Sequence, residues 1–371
     1  MRVLIVGERI REDVGSGIEV YEYNLIKELS KIAEIRKIDV FEPISAEKKG
    51  PLWLFKLRYL FEQGMKRLFF NPIKLGYSWS KIKNWHPDII HCLKPILFPP
   101  LFFITQKPTI ITFYDTFQIT QSKYMLSKYY AFLQSQWFRF ATKMASHIIV
   151  ISNKTKEELV NHFKIPIEKI SVVEIAQSDK FLKQKPKKYL KGKKRYILGY
   201  FSAFTPSKRP ELAIEIFKKL KEKYPQLDVE LHMYGSAFGE NLLKQLQENP
   251  KKDVKILGFA PETKKVHIYK SFDILLFPSL YEGFGLPILE ASSLGIPVIS
   301  MKDAKIPPEV KKATIEVKNS EDAADEIYKY LKDIKKWNKI SKDNMDYARK
   351  NFSWEKTAQK TLEVYEKLKN G

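Results

Sequence analysis

One rhythm constrains the fold more than any other feature, and it runs through the chain twice. Short apolar, β-rich runs at Val3–Val6, Ile38–Phe41, Asp88-Ile89-Ile90-His91, Thr109–Phe113 and His147–Ile151 are separated by helical segments. After the first run, a loop through Gly15-Ser16-Gly17 leads into a helix, with Val20, Tyr23, Leu25, Ile26 and Leu29 near helical spacing. Continuous apolar strands alternating with helices argue a parallel sheet covered on both faces. The rhythm pauses in a Lys-rich stretch from about Lys180 to Arg195 and then restarts. Tyr196–Phe201, Val229–Tyr234, Val254–Leu257, Ile274–Phe277 and Val298–Ser300 are the second set of strands. Glu211–Tyr224 is the clearest amphipathic helix between them, and Trp354–Leu368 is the last helix of the chain. A length of 371 residues suits two domains of roughly 150–200 residues each. The expected class is therefore α/β, with two Rossmann-like domains facing each other across a central cleft and a ligand at the carboxyl ends of the strands.

Charge narrows the partners. The net charge is +22, with 65 Lys and Arg against 43 Asp and Glu. That balance favours an anionic partner, and it also suits the Lys-rich surface of a protein from a thermophile. The single cysteine, Cys92, excludes an intrachain disulfide and a multi-thiolate metal site. The apolar start MRVLIVG is too short for the apolar region of a signal peptide, and no run reaches the length of a membrane span. A cytoplasmic protein, at most peripheral on the inner face of the membrane, is the expectation. Two segments interleave aromatics with Lys and Arg: Pro51–Trp85, which contains no Asp, and Ser122–Lys143, with Tyr124, Tyr129, Tyr130, Trp137 and Phe138. Such composition suits either an acidic lipid headgroup layer or two ordinary helices packed on a core. A nucleic-acid platform also mixes aromatics with cations, but the rest of the chain has another explanation, so no nucleic-acid partner is expected.

The strongest motif is Pro278-Ser279-Leu280-Tyr281-Glu282-Gly283-Phe284-Gly285-Leu286-Pro287-Ile288-Leu289-Glu290-Ala291. It follows a strand and opens a helix. A Gly-rich loop at a helix start offers unbonded N–H groups and the positive end of the helix dipole, which suits phosphate or sugar oxygens. Glu282 and Glu290 flank the loop with seven residues between them. Carboxylates accept paired hydrogen bonds from hydroxyls, so one could hold a hexose and the other a ribose.

Glu282-x7-Glu290 within EGFGLPILEA resembles the signature of retaining glycosyltransferase family 4, whose fold is GT-B. Gly15-Ser16-Gly17-Ile18-Glu19 with Asn24-Leu25, Pro87-Asp88-Ile89-Ile90-His91, Val150-Ile151-Ser152 with Glu157-Glu158-Leu159, Leu257-Gly258-Phe259, Phe272-Asp273-Ile274 and Phe352-Ser353-Trp354 are similar to the family's other steps, in order. The resemblance implies an acceptor-binding domain over 1–178, a nucleotide-sugar-binding domain over 179–352, and a helix over 353–371 packing back on the first. It implies that Glu290 binds the donor's ribose, that Glu282 contacts or positions the transferred sugar, and that backbone near Gly283, Phe284, Gly285 and Leu286 faces sugar and diphosphate. By the same resemblance Gly17 brings its N–H to the diphosphate, Lys208 neutralises the leaving diphosphate, Ser202 lies beside it, and Gly258 and Phe259 lie near the nucleobase. Tyr114 and Asp115 would be proximal to the sugar or acceptor.

Two positions depart from the family pattern. Ala203 stands where an Arg is usual, five residues before Lys208, and the adjacent Arg209 is a candidate to replace its charge. Tyr114 stands where a His is usual; Tyr donates a hydrogen bond but cannot become a cation. The implied reaction is retaining transfer of a hexose from a UDP-, GDP- or ADP-sugar to a hydroxyl acceptor. It needs no cofactor beyond that co-substrate and no metal, since no His/Asp/Cys cluster has ligand spacing. A lipid-linked or other membrane-associated glycan is the expected acceptor. A soluble sugar or sugar-phosphate acceptor and a non-catalytic GT-B protein that binds nucleotide or glycan are the alternatives.

Overall fold

The computed structural model describes residues 1–7, 17–39, 83–97, 106–120, 128–189, 195–236 and 253–370. Gly15-Ser16 and most of the segment Pro51–Trp85 lie outside these. The described chain divides into two compact units, Met1–Glu174 with Trp354–Gly371, and Ile175–Ser353.

In the first unit a six-stranded sheet runs in the order β2-β1-β3-β4-β5-β6. The strands are β1 (Arg2–Gly7), β2 (Glu34–Asp39), β3 (Ile89–Cys92), β4 (Thr109–Phe113), β5 (His147–Val150) and β6 (Ile170–Val172), every neighbouring pair parallel. Helix α1 (Gly17–Leu29) follows β1, α2 (Lys128–Met144) precedes β5, and α3 (Asn153–Phe163) follows it. Central strands β3, β4 and β5 are buried at every residue, as a sheet with helices on both faces requires. The edge strand β2 begins at Glu34, earlier than its apolar end predicts. Its register with β1 pairs Glu34 with Arg2 and Ile38 with Val6, so backbone pairing carries it through charged residues. Helix α1 buries Tyr21, Leu25 and Leu29, whereas Val20, Tyr23 and Ile26 are only half buried. The apolar stripe is thus centred one residue away from the expected one.

Helix α2 is divided between core and surface. Phe138 and Ala141 are buried in the core with Phe113, the Phe138 ring edge-on to Phe113 at 5.3 Å. On the other side Phe132 and Leu133 are 58% and 46% exposed, and Arg139 and Lys143 are also exposed.

The second unit holds β7 (Tyr196–Phe201), β8 (Val229–Tyr234), β9 (Val254–Gly258), β10 (Ile274–Phe277), β11 (Val298–Met301) and β12 (Ile315–Val317). They form a parallel sheet in the order β12-β11-β10-β7-β8-β9. The helices here include α4 (Asp179–Leu182), α5 (Pro210–Lys223), α6 (Lys265–Ser271), α7 (Leu286–Ser293), α8 (Ser320–Lys332) and α9 (Ile334–Asn351). Strand order reverses between β7 and β10, and in such sheets the crevice outside the carboxyl ends at that reversal is where ligands bind.

The last helix, α10 (Trp354–Asn370), belongs to the first unit. Thr357 donates to the Glu174 carbonyl at 2.8 Å, Lys360 pairs with Glu174 at 2.6 Å, and Tyr365 is fully buried beside His91.

Candidate active site

The loop after β7 is built first. Ser202 N–H donates to the Tyr234 carbonyl at 3.1 Å, and Phe204 N–H to Ser236 at 2.9 Å. These bonds bring two backbones together so closely that a Cβ on Gly235 would lie 1.9 Å from the Ser202 carbonyl oxygen. Only glycine fits at such an approach. The buried Tyr200 hydroxyl donates to the carbonyls of Ala203 and Lys208, at 3.1 and 3.3 Å. A single turn, Pro206–Lys208, then presents Lys208.

The loop after β10 meets it. Leu280 N–H donates to the Ser207 carbonyl at 2.8 Å, Lys305 N–H to Leu280 at 2.8 Å and Glu282 N–H to Lys305 at 3.1 Å. Three loops are thereby tied at the end of the sheet. Across the tie, Lys208 Nζ lies 2.7 Å from Glu282 Oε2, and Glu282 is 9% exposed. Arg209 adopts a left-handed backbone conformation, φ 45°. Its guanidinium donates to the Pro278 carbonyl at 2.6 Å and to both Asp303 oxygens at 2.8 and 3.0 Å. This two-pronged pairing, charge-assisted on both sides, is strong and directional. It holds the Asp303 carboxyl below the usual carboxylate range. Arg209 therefore braces the loop, a role the sequence alone did not suggest. Among the described residues, nothing in this loop supplies a second cation at position 203.

Gly285 stands at the start of α7 with φ 106° and no side-chain cap. The early N–H groups of a helix have no intrahelical acceptor, so this turn is a place for anionic oxygens. The Phe284 ring is turned into the core, edge-on to Phe352 at 5.8 Å and 4% exposed. Phe284 thus offers the site only its backbone. Glu290, in the second turn of α7, is 4% exposed. Its Oε1 lies 2.6 Å from Lys265 Nζ, and its Oε2 accepts from the Tyr269 hydroxyl at 2.9 Å. Sequence reading missed both partners. The signal was there in part: Lys265 and Tyr269 are four apart on α6 and so share one helical face.

At the end of β9, Gly258 has φ 69° with open space around its missing Cβ, and the next residue, Phe259, is 70% exposed. An exposed Phe beside a positive-φ glycine is available to stack on a planar group. Ser202, Lys208, Arg209, Gly258, Phe259, Gly283, Phe284, Gly285, Leu286, Glu282 and Glu290 all lie in the second unit, at the end of β9, on the loops after β7, β9 and β10, or in the first two turns of α7. Gly17, Tyr114 and Asp115 belong to the first. Gly17 opens α1. Tyr114 and Asp115 follow β4, with the Tyr114 ring edge-on to Tyr21 at 5.2 Å and Asp115 Oδ1 accepting from Phe117 N–H at 3.0 Å. His91 is fully buried, with Nδ1 2.6 Å from the Tyr365 hydroxyl and Nε2 2.7 Å from Thr112 Oγ1. Burial lowers its pKa to about 3, so it is a neutral core residue. No group of three or more His, Cys, Asp or Glu among the described residues could hold a metal ion.

Likeness to known proteins follows this geometry. The family Glycosyl transferases group 1 matches residues 182–369, and Glycosyltransferase Family 4 matches residues 15–174. The chain is 24% identical to the O-antigen chain mannosyltransferase B of Escherichia coli, over 99% of this chain and all of the relative. Sucrose-phosphate synthase of Thermosynechococcus elongatus superposes with a TM-score of 0.73 at 18% identity, over 99% of this chain and 98% of that one. Anabaena HepE in complex with UDP-glucose gives 0.68 at 17%, over 99% and 100%. Two parallel six-stranded sheets with flanking helices and these neighbours define the GT-B class of fold. Within it, the chain belongs to the group 1 and family 4 glycosyltransferases.

Proposed function

We propose that this glycosyltransferase moves a hexose from a nucleoside diphosphate donor to a hydroxyl on a membrane-associated glycan, with retention at the anomeric carbon. The observation that carries the donor half is the Lys208–Glu282 pair at 2.7 Å, set where strand order reverses and close in sequence to the buried Glu290. A lysine held by one carboxylate is ready for a diphosphate, whose larger charge competes for it. As the sugar–oxygen bond breaks, negative charge grows on the diphosphate, so the Lys208 cation stabilises the transition state more than the ground state. Glu282, released from Lys208, accepts from sugar hydroxyls, and Glu290 accepts from the ribose. Backbone from Gly283 to Leu286, with Ser202, faces the phosphates and sugar. Gly258 and Phe259 face the base. Tyr114 and Asp115 stand at the end of β4 for the sugar or the acceptor.

Retention is the outcome that the likeness to the family 4 glycosyltransferases supports. Both carboxylates are engaged by cations, so neither is placed as the free nucleophile of a glycosidase pair. The departing diphosphate then takes the acceptor's proton, and the acceptor attacks from the face it leaves. Lys208 and the helix-start amides do the work of a metal ion. A sugar nucleotide is the co-substrate, as UDP-glucose is the ligand of the Anabaena neighbour. The acceptor reading rests on the net charge of +22, the exposed Phe132 and Leu133 beside exposed Arg139 and Lys143 on α2, and the name of the Escherichia coli relative. Aromatic and aliphatic side chains among cations suit an acidic headgroup layer.

Two experiments test this. Incubation with UDP-, GDP- and ADP-sugars, followed by nuclear magnetic resonance of the product or of the released sugar, should show turnover of at least one donor and an α-configured product from an α-donor. No turnover of any donor, or an inverted product, would contradict it. Flotation with vesicles containing phosphatidylglycerol should carry the protein at physiological salt. Failure to float would favour a soluble sugar or sugar phosphate as acceptor.

A further inference from the structure

Glu290 is a buried carboxylate whose two oxygens are each already engaged from one side. Lys265 Nζ stands 2.6 Å from Oε1, and the Tyr269 hydroxyl donates to Oε2 at 2.9 Å. An ionised carboxylate has about four lone-pair directions, two on each oxygen. One direction per oxygen is taken from the α6 side, so one per oxygen is left. That is the number and spacing needed by two neighbouring hydroxyls of a cis-diol.

Both donors are fixed in place and in charge. Tyr269 is fully buried and stacks on Phe201 at 4.9 Å, with Phe181 edge-on at 5.7 Å. Burial, and then the Glu290 charge, push its phenol well above the usual range, so it remains a donor at any working pH. Lys265 lies over the rings of Phe181 and Phe201, at 5.8 and 5.6 Å, and 3.8 Å from Glu262, which Lys180 also pairs. Burial works against the Lys265 charge, but Glu290 and Glu262 outweigh it and raise its pKa. A carboxylate this buried needs such a partner, because an unpaired ion away from water is strongly disfavoured. The partner thus pairs the Glu290 carboxylate and fixes which way its remaining lone pairs point.

We infer that Lys265 and Tyr269 are positioning residues that turn Glu290 into a reader of the ribose 2′,3′-diol, so that discrimination against 2′-deoxynucleotides resides in the α6 face as well as in Glu290. The inference rests on the proposed ribose role of Glu290. A residue serving only to hold the fold together would weaken ribo- and deoxynucleotides alike; a residue that aims the carboxylate changes their ratio.

The test is calorimetric titration with UDP, GDP and the 2′-deoxy counterpart of each. The unaltered protein should bind the ribonucleotide of its preferred pair more tightly than the deoxynucleotide. Lys265→Met and Tyr269→Phe should each reduce that ratio, by about tenfold for the lysine and less for the tyrosine. Lys265→Arg, which retains a charged donor, should keep most of it. Tyr269→Phe removes one oxygen and keeps the ring, so it reads the same effect without disturbing the packing. Glu290→Gln separates the two levels of the argument. If the ratio survives Glu290→Gln, or if the unaltered protein shows none, the ribose role itself fails. If the ratio collapses in Glu290→Gln but is unchanged in both Lys265→Met and Tyr269→Phe, the positioning inference alone is overturned.

Discussion

Each unit holds its own parallel six-stranded sheet, and the two differ in the polar groups placed around it. In the second unit the carboxyl ends of β7 and β10 are held by ions: Lys208 with Glu282, Arg209 with Asp303, Lys265 with Glu290. In the first, β3 and β4 carry a neutral array, His91 between Tyr365 and Thr112, all fully buried. A neutral array costs little to bury and locks α10 onto the sheet. Buried ion pairs are poor stabilisers beside apolar packing of the same volume. Lys208–Glu282 and Lys265–Glu290 lie largely out of solvent, and their placement at one sheet end argues that they serve a charged ligand. The comparison teaches where to look for chemistry in a chain whose Lys and Arg are otherwise spread widely.

Four substitutions would break or sharpen that contrast. Lys208→Ala should have the largest effect, lowering kcat by about 10²–10³ while weakening nucleoside diphosphate binding much less; steady-state kinetics with calorimetry separates the two. Equal losses would make Lys208 an anchor only. Arg209→Lys keeps the charge but loses the fork that grips both Asp303 oxygens. It should lower kcat/KM by about ten- to a hundredfold by loosening the loop that carries Glu282, and an unchanged kcat/KM would remove the bracing role.

The third concerns the neutral array. The folded His91 pKa is lowered from 6.5 to about 3, so the unfolded chain takes up the proton first as pH falls. Stability is fully present above pH 6.5 and should decline below it by about 1.4 kcal/mol per pH unit from this group. His91→Gln should flatten the urea midpoint between pH 6.5 and 4 relative to the unaltered protein, and a parallel pH dependence would contradict the neutral assignment. The smallest effect belongs to Asp303, which is largely exposed. Its pKa is lowered by Arg209, so its contribution is present above the unfolded value and lost as pH falls through the folded one. Asp303→Asn should cost less than about 1 kcal/mol at pH 7 and nothing at pH 2; a cost that persists at pH 2 would come from packing.

Much of the fold was legible because its central strands are continuous apolar runs. Thr109–Phe113, Tyr196–Phe201, Val229–Tyr234 and Ile274–Phe277 have the bounds the pattern predicts. Burial on both faces keeps these runs largely apolar, so the strand ends show in the sequence; β8 tolerates Glu230 and His232 because Glu230 is paired with Arg195, His232 and Lys255. The edge strands β6 and β12 did not show. Ile170–Val172 and Ile315–Val317 are three residues each, and β12 carries Glu316 outward. At the site, Glu282 and Glu290 stood out because they flank a Gly-rich loop between strand and helix, whereas Lys208 was legible only through the family resemblance. Their partners did not stand out. Asp303 and Lys305 lie after the next strand, β11, and Lys265 lies on the helix before β10; a single sequence gives no hint that these loops meet. Arg209 showed its charge in the sequence, but not the Asp303 carboxylate it pairs with.

Calorimetric titration of UDP and GDP into the unaltered chain and into Glu290→Ala tests the donor site most directly. One nucleotide should bind per chain, and Glu290→Ala should weaken it by about a hundredfold without changing the number bound. Unaltered affinity in Glu290→Ala would place the nucleotide elsewhere and contradict the account.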